Sequence, residues 1–264
     1  MRAASRGSLF LPLMAALAAV SWVTLWVWGQ SPYARYLDHG RWAEIGFAGS
    51  LCRALPGGGA TLSALFFVGG WVLMLAAMML PTTLPLLEIF RRLTAGRADR
   101  RQLMALVILG YLAVWMVFGV IAHLADWAVL LLVQQSDWLV ANGWVLAATI
   151  LAIAGLYQFS ALKYRCLDKC RSPFGFVIEH WRGSREKWQS LLLGIRHGAF
   201  CVGCCWCLML LMFVLGIGNV GWMLALGAVM ATEKNLPGGR RLAAPVGAGL
   251  LLAAVWVGLD GAAA

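Results

Sequence analysis

The sequence predicts an all-α, polytopic transmembrane helical bundle of about seven spans, forming one domain over residues 1–264. Three observations carry this. Apolar residues make up 62% of the chain and charged residues 12%, whereas a soluble domain is nearer half apolar and a quarter charged. Apolar stretches of about 20 residues, long enough to cross a hydrocarbon core, recur along it. Many of the 14 Trp lie near the ends of those stretches, where amphipathic indoles settle at the headgroups.

The first span is expected at 9–28, behind Arg2 and Arg6. Its length, its three Trp and the lack of a small-residue cleavage site favour a retained span over a signal peptide. A polar stretch follows, ending in Pro56-Gly57-Gly58-Gly59. The second span is expected at 62–87, where Pro81 and Pro85 predict a kink that frees backbone carbonyls. Arg91, Arg92, Arg97, Arg100 and Arg101 close it. The third span is expected at 103–125, followed by an acidic connection holding Asp126 and Asp137, then the fourth at 138–161. A basic segment from Lys163 to Lys187 separates it from the fifth at 192–215, where Ser172-Pro173 predicts a helix end. Gly216 to Gly221 reads as a short turn. The sixth span, 222–234, is short, so six spans is the alternative. The seventh is expected at 242–259.

Charge orients these spans. With the N-terminus in the cytoplasm and the C-terminus outside, eighteen of the 21 basic residues fall inside, as the positive-inside rule requires. Only Arg35, Arg41 and Arg53 fall outside. This accounts for the net charge of +10 without nucleic acid, for which no recognisable module exists. A bacterial inner membrane is the expected location. No phosphate loop, Ser/His/Asp set or paired carboxylates mark an ATP-driven pump or a hydrolase, so nothing marks the chain as an enzyme.

The chemistry lies in sulfur. Seven Cys are present, and all but Cys52 fall on the cytoplasmic side or in the adjoining half of the membrane. Structural disulfides are disfavoured there, and metal or thiol chemistry is favoured. Cys201, Cys204, Cys205 and Cys207 crowd into one span. At about 100° per residue, with Cys201 at zero, His197 falls at about −40°, Cys204 at about −60°, Cys205 at about +40° and Met212 at about +20°. These five form one stripe, and Cys207 lies off it. On the second span Met74, Met78, Pro81, Pro85 and Glu88 share a face within about 80°, with Met79 beside it. Since that span runs the opposite way, Met78 comes to about the depth of the thiols. Thiolate and thioether ligands select Cu(I), and thiolates with imidazole also suit Zn(II).

Cys166 and Cys170 stand at i, i+4 in the basic segment, which would put both on one helical face as a capture site. Lys163, Arg165, Lys169 and Arg171 beside them would favour thiolate. A pair of solvated thiols in a basic loop is the competing reading. Small Cys and flexible Met also pack as ordinary core residues. Glu88, His39, His123 and His180 read as interfacial or structural groups.

The chain resembles a bacterial group of predicted metal-binding integral membrane proteins, domain of unknown function 2182. The resemblance rests on Ala77-Met78-Met79-Leu80-Pro81, on Tyr111 and Trp115, and on Gly155-Leu156-Tyr157-Gln158 leading to Lys163, Cys166, Cys170, Arg171 and Pro173. Most specific is Gly194-x-x-His197-Gly198-x-x-Cys201-Val202-Gly203-Cys204-Cys205-Trp206, with Glu233-Lys234 after it. It covers most of the chain from the second span onward and implies a metal site at the Cys cluster. It names no metal, and Cys207 and Cys52 lie outside its motifs.

The expected function is therefore binding of a soft transition metal, copper(I) first and zinc second, in handling or transport. Cys201, Cys204 and Cys205 are the expected primary ligands, with His197 and with Met78 or Met79 as auxiliary ones. Cys166 and Cys170 would capture the ion. The expected partners are the lipid bilayer, the metal ion, and a metallochaperone or membrane protein that exchanges the ion. A transmembrane thiol–disulfide relay and a non-catalytic scaffold or assembly subunit are the alternatives.

Overall fold

A computed structural model describes residues 10–31, 68–183, 185–215 and 219–263. Arg2, Arg6, Arg35, His39, Arg41, Cys52, Arg53, the Pro56–Gly59 stretch, residues 62–67 of the second expected span and residues 216–218 of the Gly216–Gly221 turn lie outside them. Every regular element among the described residues is a helix.

Helix α1, Phe10–Gly29, carries no charge and buries only Ser21 and Leu25. The Ser21 hydroxyl donates to its own helix at Leu17 O (2.8 Å). Helix α2, Val68–Thr82, meets α3, Leu84–Leu93, at 65°. The expected kink is present, and its cause is visible. Ahead of Pro81 the chain widens into a π-turn over Leu75–Met79, and at Thr83 the helix breaks. Without its usual partner, the Met79 carbonyl accepts from the Thr82 hydroxyl (2.8 Å) and from Tyr111 Oη (3.3 Å). A proline-bent helix stays buried only when its freed carbonyls find such donors.

Helix α4, Arg100–Gln134, has 35 residues, about 52 Å at 1.5 Å per residue. It runs past the expected end at Ala125, so Asp126 is a buried helix residue (5% exposed) rather than part of a connection. No Gly or Pro interrupts 120–134, and one carboxylate does not stop a helix. The break comes at Ser136, which caps the short α5, Asp137–Ala141. Helix α6, Trp144–Tyr157, bends by 62° into α7, Ala161–Arg171, where Ser160 caps the backbone N–H of Lys163. Ser172-Pro173 ends α7 as expected, and α8 follows at Pro173–His180. Then come α9 (Glu186–Leu215), α10 (Val220–Asn235), a 3-10 turn (Gly239–Leu242) and α11 (Ala243–Ala263).

Among the described residues four helices are long and apolar enough to cross a membrane, and the two bent pairs, each counted as one span, raise that to six. The expected span that falls outside this count is the sixth, α10. Its 16 residues reach about 24 Å, short of a core of about 30 Å.

Helix α9 is the axis of the bundle, packed against α4, α6, α7 and α10. Small residues let it approach α4 closely. A Cβ on Gly194 would run into the carbonyl of Val107, and one on Gly110 into that of Leu191. The basic connections gather at one end. There Arg97 pairs with Asp99 (3.0 Å) and with Glu186 at the start of α9, and Arg240 pairs with Asp168 of α7 (3.2 Å). The hydrogen bond from Arg97 holds the Asp99 carboxyl below the usual carboxylate range. Away from the core the helices present apolar residues outward, Leu252 and Trp256 of α11 being 72% and 71% exposed.

Candidate metal centre

The four α9 cysteines are buried, each 1–2% exposed. Apolar flanks and thirty residues without Pro make α9 rigid, so the thiols are fixed in direction. Cys204 Sγ and Cys205 Sγ donate to the same carbonyl, Cys201 O, at 3.1 and 2.8 Å. Cys201 Sγ points elsewhere, into a polar knot built from three other helices. Lys234 Nζ of α10 donates to it at 2.9 Å, and Tyr111 Oη of α4 lies at 3.2 Å. The same ammonium reaches Thr82 Oγ1 (3.3 Å) and Met79 Sδ (4.0 Å) of α2. Cys201 and Met79 sulfurs thus meet around Lys234, next to the kink.

Helix α7 brings the other thiols. Cys170 Sγ lies 4.0 Å from Cys204 Sγ. Cys166, one turn earlier, faces Gly203, where an added Cβ would come within 2.6 Å of its Sγ. The i, i+4 pair therefore lies along α9, against consecutive residues. Cys166 is buried (8% exposed), so the solvated-loop reading does not hold for it.

Three of the four basic neighbours of these thiols are occupied elsewhere. Lys163, fully buried, pairs with Glu233 of α10 (2.7 Å). Lys169 pairs with Glu179 (3.0 Å). Arg171 donates to the carbonyls of Glu233 and Leu236, the latter at 2.9 Å. Among the described residues the cation that does touch a thiol is Lys234, which the sequence places at the end of the sixth expected span. Its signal was a charged Glu-Lys pair directly after an apolar helix, a costly arrangement unless both charges are used. Tyr111 stands out only through the family resemblance, because one Tyr in an apolar span otherwise looks like packing.

The remaining expected ligands divide. His197 is buried (5% exposed) between Tyr111 and Phe176, with ring centroids 5.9 and 5.5 Å away, and its Nδ1 has no hydrogen-bond partner. It lines a cleft of about 130 Å³ together with Thr82, Pro85, Cys170, Lys234 and Asn235. Met78 turns to α10, its Cε 3.5 Å from where a Cβ on Gly227 would stand. Cys205 stays against its own helix.

Among the described residues no three His, Cys, Asp or Glu groups converge as a ready-made metal cage. What the fold assembles is a two-thiol approach, Cys170 to Cys204, with Cys201, Met79 and His197 around the same junction. Two metal–sulfur bonds of about 2.3 Å would span 4.0 Å at an angle of about 120°.

No curated protein and no solved structure matches the chain. The family model PpoB2, described as copper chaperone, matches residues 68–257. That stretch is well over half of the 264 residues and holds every side chain of the junction. The chain belongs to this copper chaperone family.

Proposed function

We propose that this protein handles copper as Cu(I) inside the membrane, capturing it at Cys170 and holding it between Cys170 and Cys204, with Cys201 and Met79 beside them. The observation that carries the reading is the 4.0 Å approach of two thiols from different helices in a chain of a copper chaperone family. Structural zinc sites take four ligands in a tetrahedron. The junction offers fewer convergent donors, sulfur except for His197, and soft sulfur ligands select Cu(I). Lys234 supplies a fixed positive charge against the thiolates that a bound metal creates. The cleft that reaches Cys170 and His197 gives the ion its way in. The helices cross a bacterial inner membrane with the basic end in the cytosol, where a metallochaperone or a membrane partner exchanges the ion.

The test is retained metal. The full chain, purified in detergent, loaded with Cu(I) without oxygen and desalted, keeps copper by elemental mass spectrometry. A Cys170→Ser, Cys204→Ser variant loses most of it. Equal copper in both proteins ends the reading.

One observation favours a second reading. The thiol relay lacked a disulfide partner on α9 alone, because adjacent cysteines on one helix cannot close an unstrained bridge. Cys170 supplies one from α7. Alkylation trapping in cells separates the two: a mixed population of oxidised and reduced Cys170–Cys204 supports a relay, and a fully reduced pair supports metal handling.

A further inference from the structure

The junction is one end of a larger concentration of sulfur. The main buried cluster of 27 residues holds five cysteines and seven methionines: Met74, Met78, Met79, Met209, Met212, Met223 and Met230. Leu is the ordinary choice for such positions, because the flexible thioether specifies a core poorly. These methionines come from α2, α9 and α10, three of the helices that meet at the junction.

Their heights follow from helical rise. Cys201 and Lys234 fix a common level by contact, and Met79 shares it. On α9, Met209 and Met212 lie about 12 and 16 Å beyond Cys201, at 1.5 Å per residue. On α10, which leads toward the junction, Met230 and Met223 lie about 6 and 16 Å before Lys234. On α2, Met74 lies about 7 Å before Met79, and Met78 packs across the seam to Gly227 of α10. Thioethers therefore stand at successive levels from the thiol junction to a depth of about 16 Å, roughly half of a hydrocarbon core of about 30 Å. The methionines are buried to 3% exposure or less, so they are not a lipid-facing stripe.

We propose that Met74, Met78, Met209, Met212, Met223 and Met230 form a thioether ladder that binds a soft monovalent cation and carries Cu(I) between the thiol junction and the far half of the bundle. Thioethers are neutral and soft, so they accept Cu(I) without proton exchange and hold it less tightly than thiolates do. The ladder rests on the copper reading only for the identity of its cargo.

The test uses Ag(I), a soft monovalent probe, on the full chain labelled with 13C at its methionine methyl groups, in detergent micelles. The 11 Met give signals assignable by single Met→Leu exchanges, which conserve volume and keep the core packed. Ag(I) shifts the signals of Met209, Met212 and Met223. Unmoved signals for these three at saturating Ag(I) overturn the ladder. The Cys170→Ser, Cys204→Ser protein tells the two ideas apart. Shifts that persist there sustain the ladder without the thiol junction. Copper retained at the thiols with no methionine shift sustains the junction and removes the ladder.

Discussion

Lys163 is wholly buried against Glu233 (0% and 2% side-chain exposure), and Glu233 Oε1 has no further partner. Removing one member of such a pair strands the other charge, at a cost of about 3–5 kcal/mol, whereas removing both is often close to neutral. Lys163→Met should therefore lower stability by about that amount, and Lys163→Met with Glu233→Met should recover most of it. Thermal unfolding in detergent checks both. An equal loss in single and double variants would mean that the pair acts through something other than its charges. At this scale the thiols were legible, because four cysteines within seven residues exceed what packing requires. Lys234 and Tyr111 were marked by the family resemblance, but their contact with Cys201 was not legible, since a side chain that reaches the site from another helix leaves no periodic trace. The thiolate-favouring cations were placed on the wrong residues for the same reason: Lys163, Lys169 and Arg171 are spent on Glu233, Glu179 and backbone carbonyls.

The Cys-bearing helix α9 is positioned by how closely it meets α4. Gly194 leaves no room for a Cβ against the Val107 carbonyl, and backbone cannot move aside as a flexible side chain can. Gly194→Ala should push the helices apart and cost about 1–3 kcal/mol, with weaker copper retention because Tyr111 and Cys201 separate. A stability unchanged within error would show that α4 does not hold α9. The α2 kink was legible from Pro81 and Pro85, and its donors were not: Thr82 and Tyr111 take the freed Met79 carbonyl. The length of α4 was misjudged because an acidic residue in an apolar run resembles a loop. Helix ends are set by caps and breakers, which appear only at Ser136.

Over the whole molecule, the bundle of apolar helices followed from composition, while the number of crossings did not. Hydropathy counts segments, and it cannot tell a short helix such as α10 or a bent pair from a complete span. The positive-inside distribution predicts that the end carrying Arg97, Lys187 and Arg240 lies in the cytosol. With Cys52 replaced by Ser, Lys187→Cys should react with a membrane-impermeant maleimide only after permeabilisation, and Asp137→Cys in intact spheroplasts. The reverse pattern would turn the protein over and open the cleft to the periplasm. Cu(I) bound by sulfur from α7 and α9, as proposed, is visible to X-ray absorption at the copper edge of the loaded protein. The expected spectrum has a nearest shell of sulfur that loses scatterers in Cys170→Ser. A shell of nitrogen and oxygen alone, unchanged by that substitution, would contradict sulfur binding.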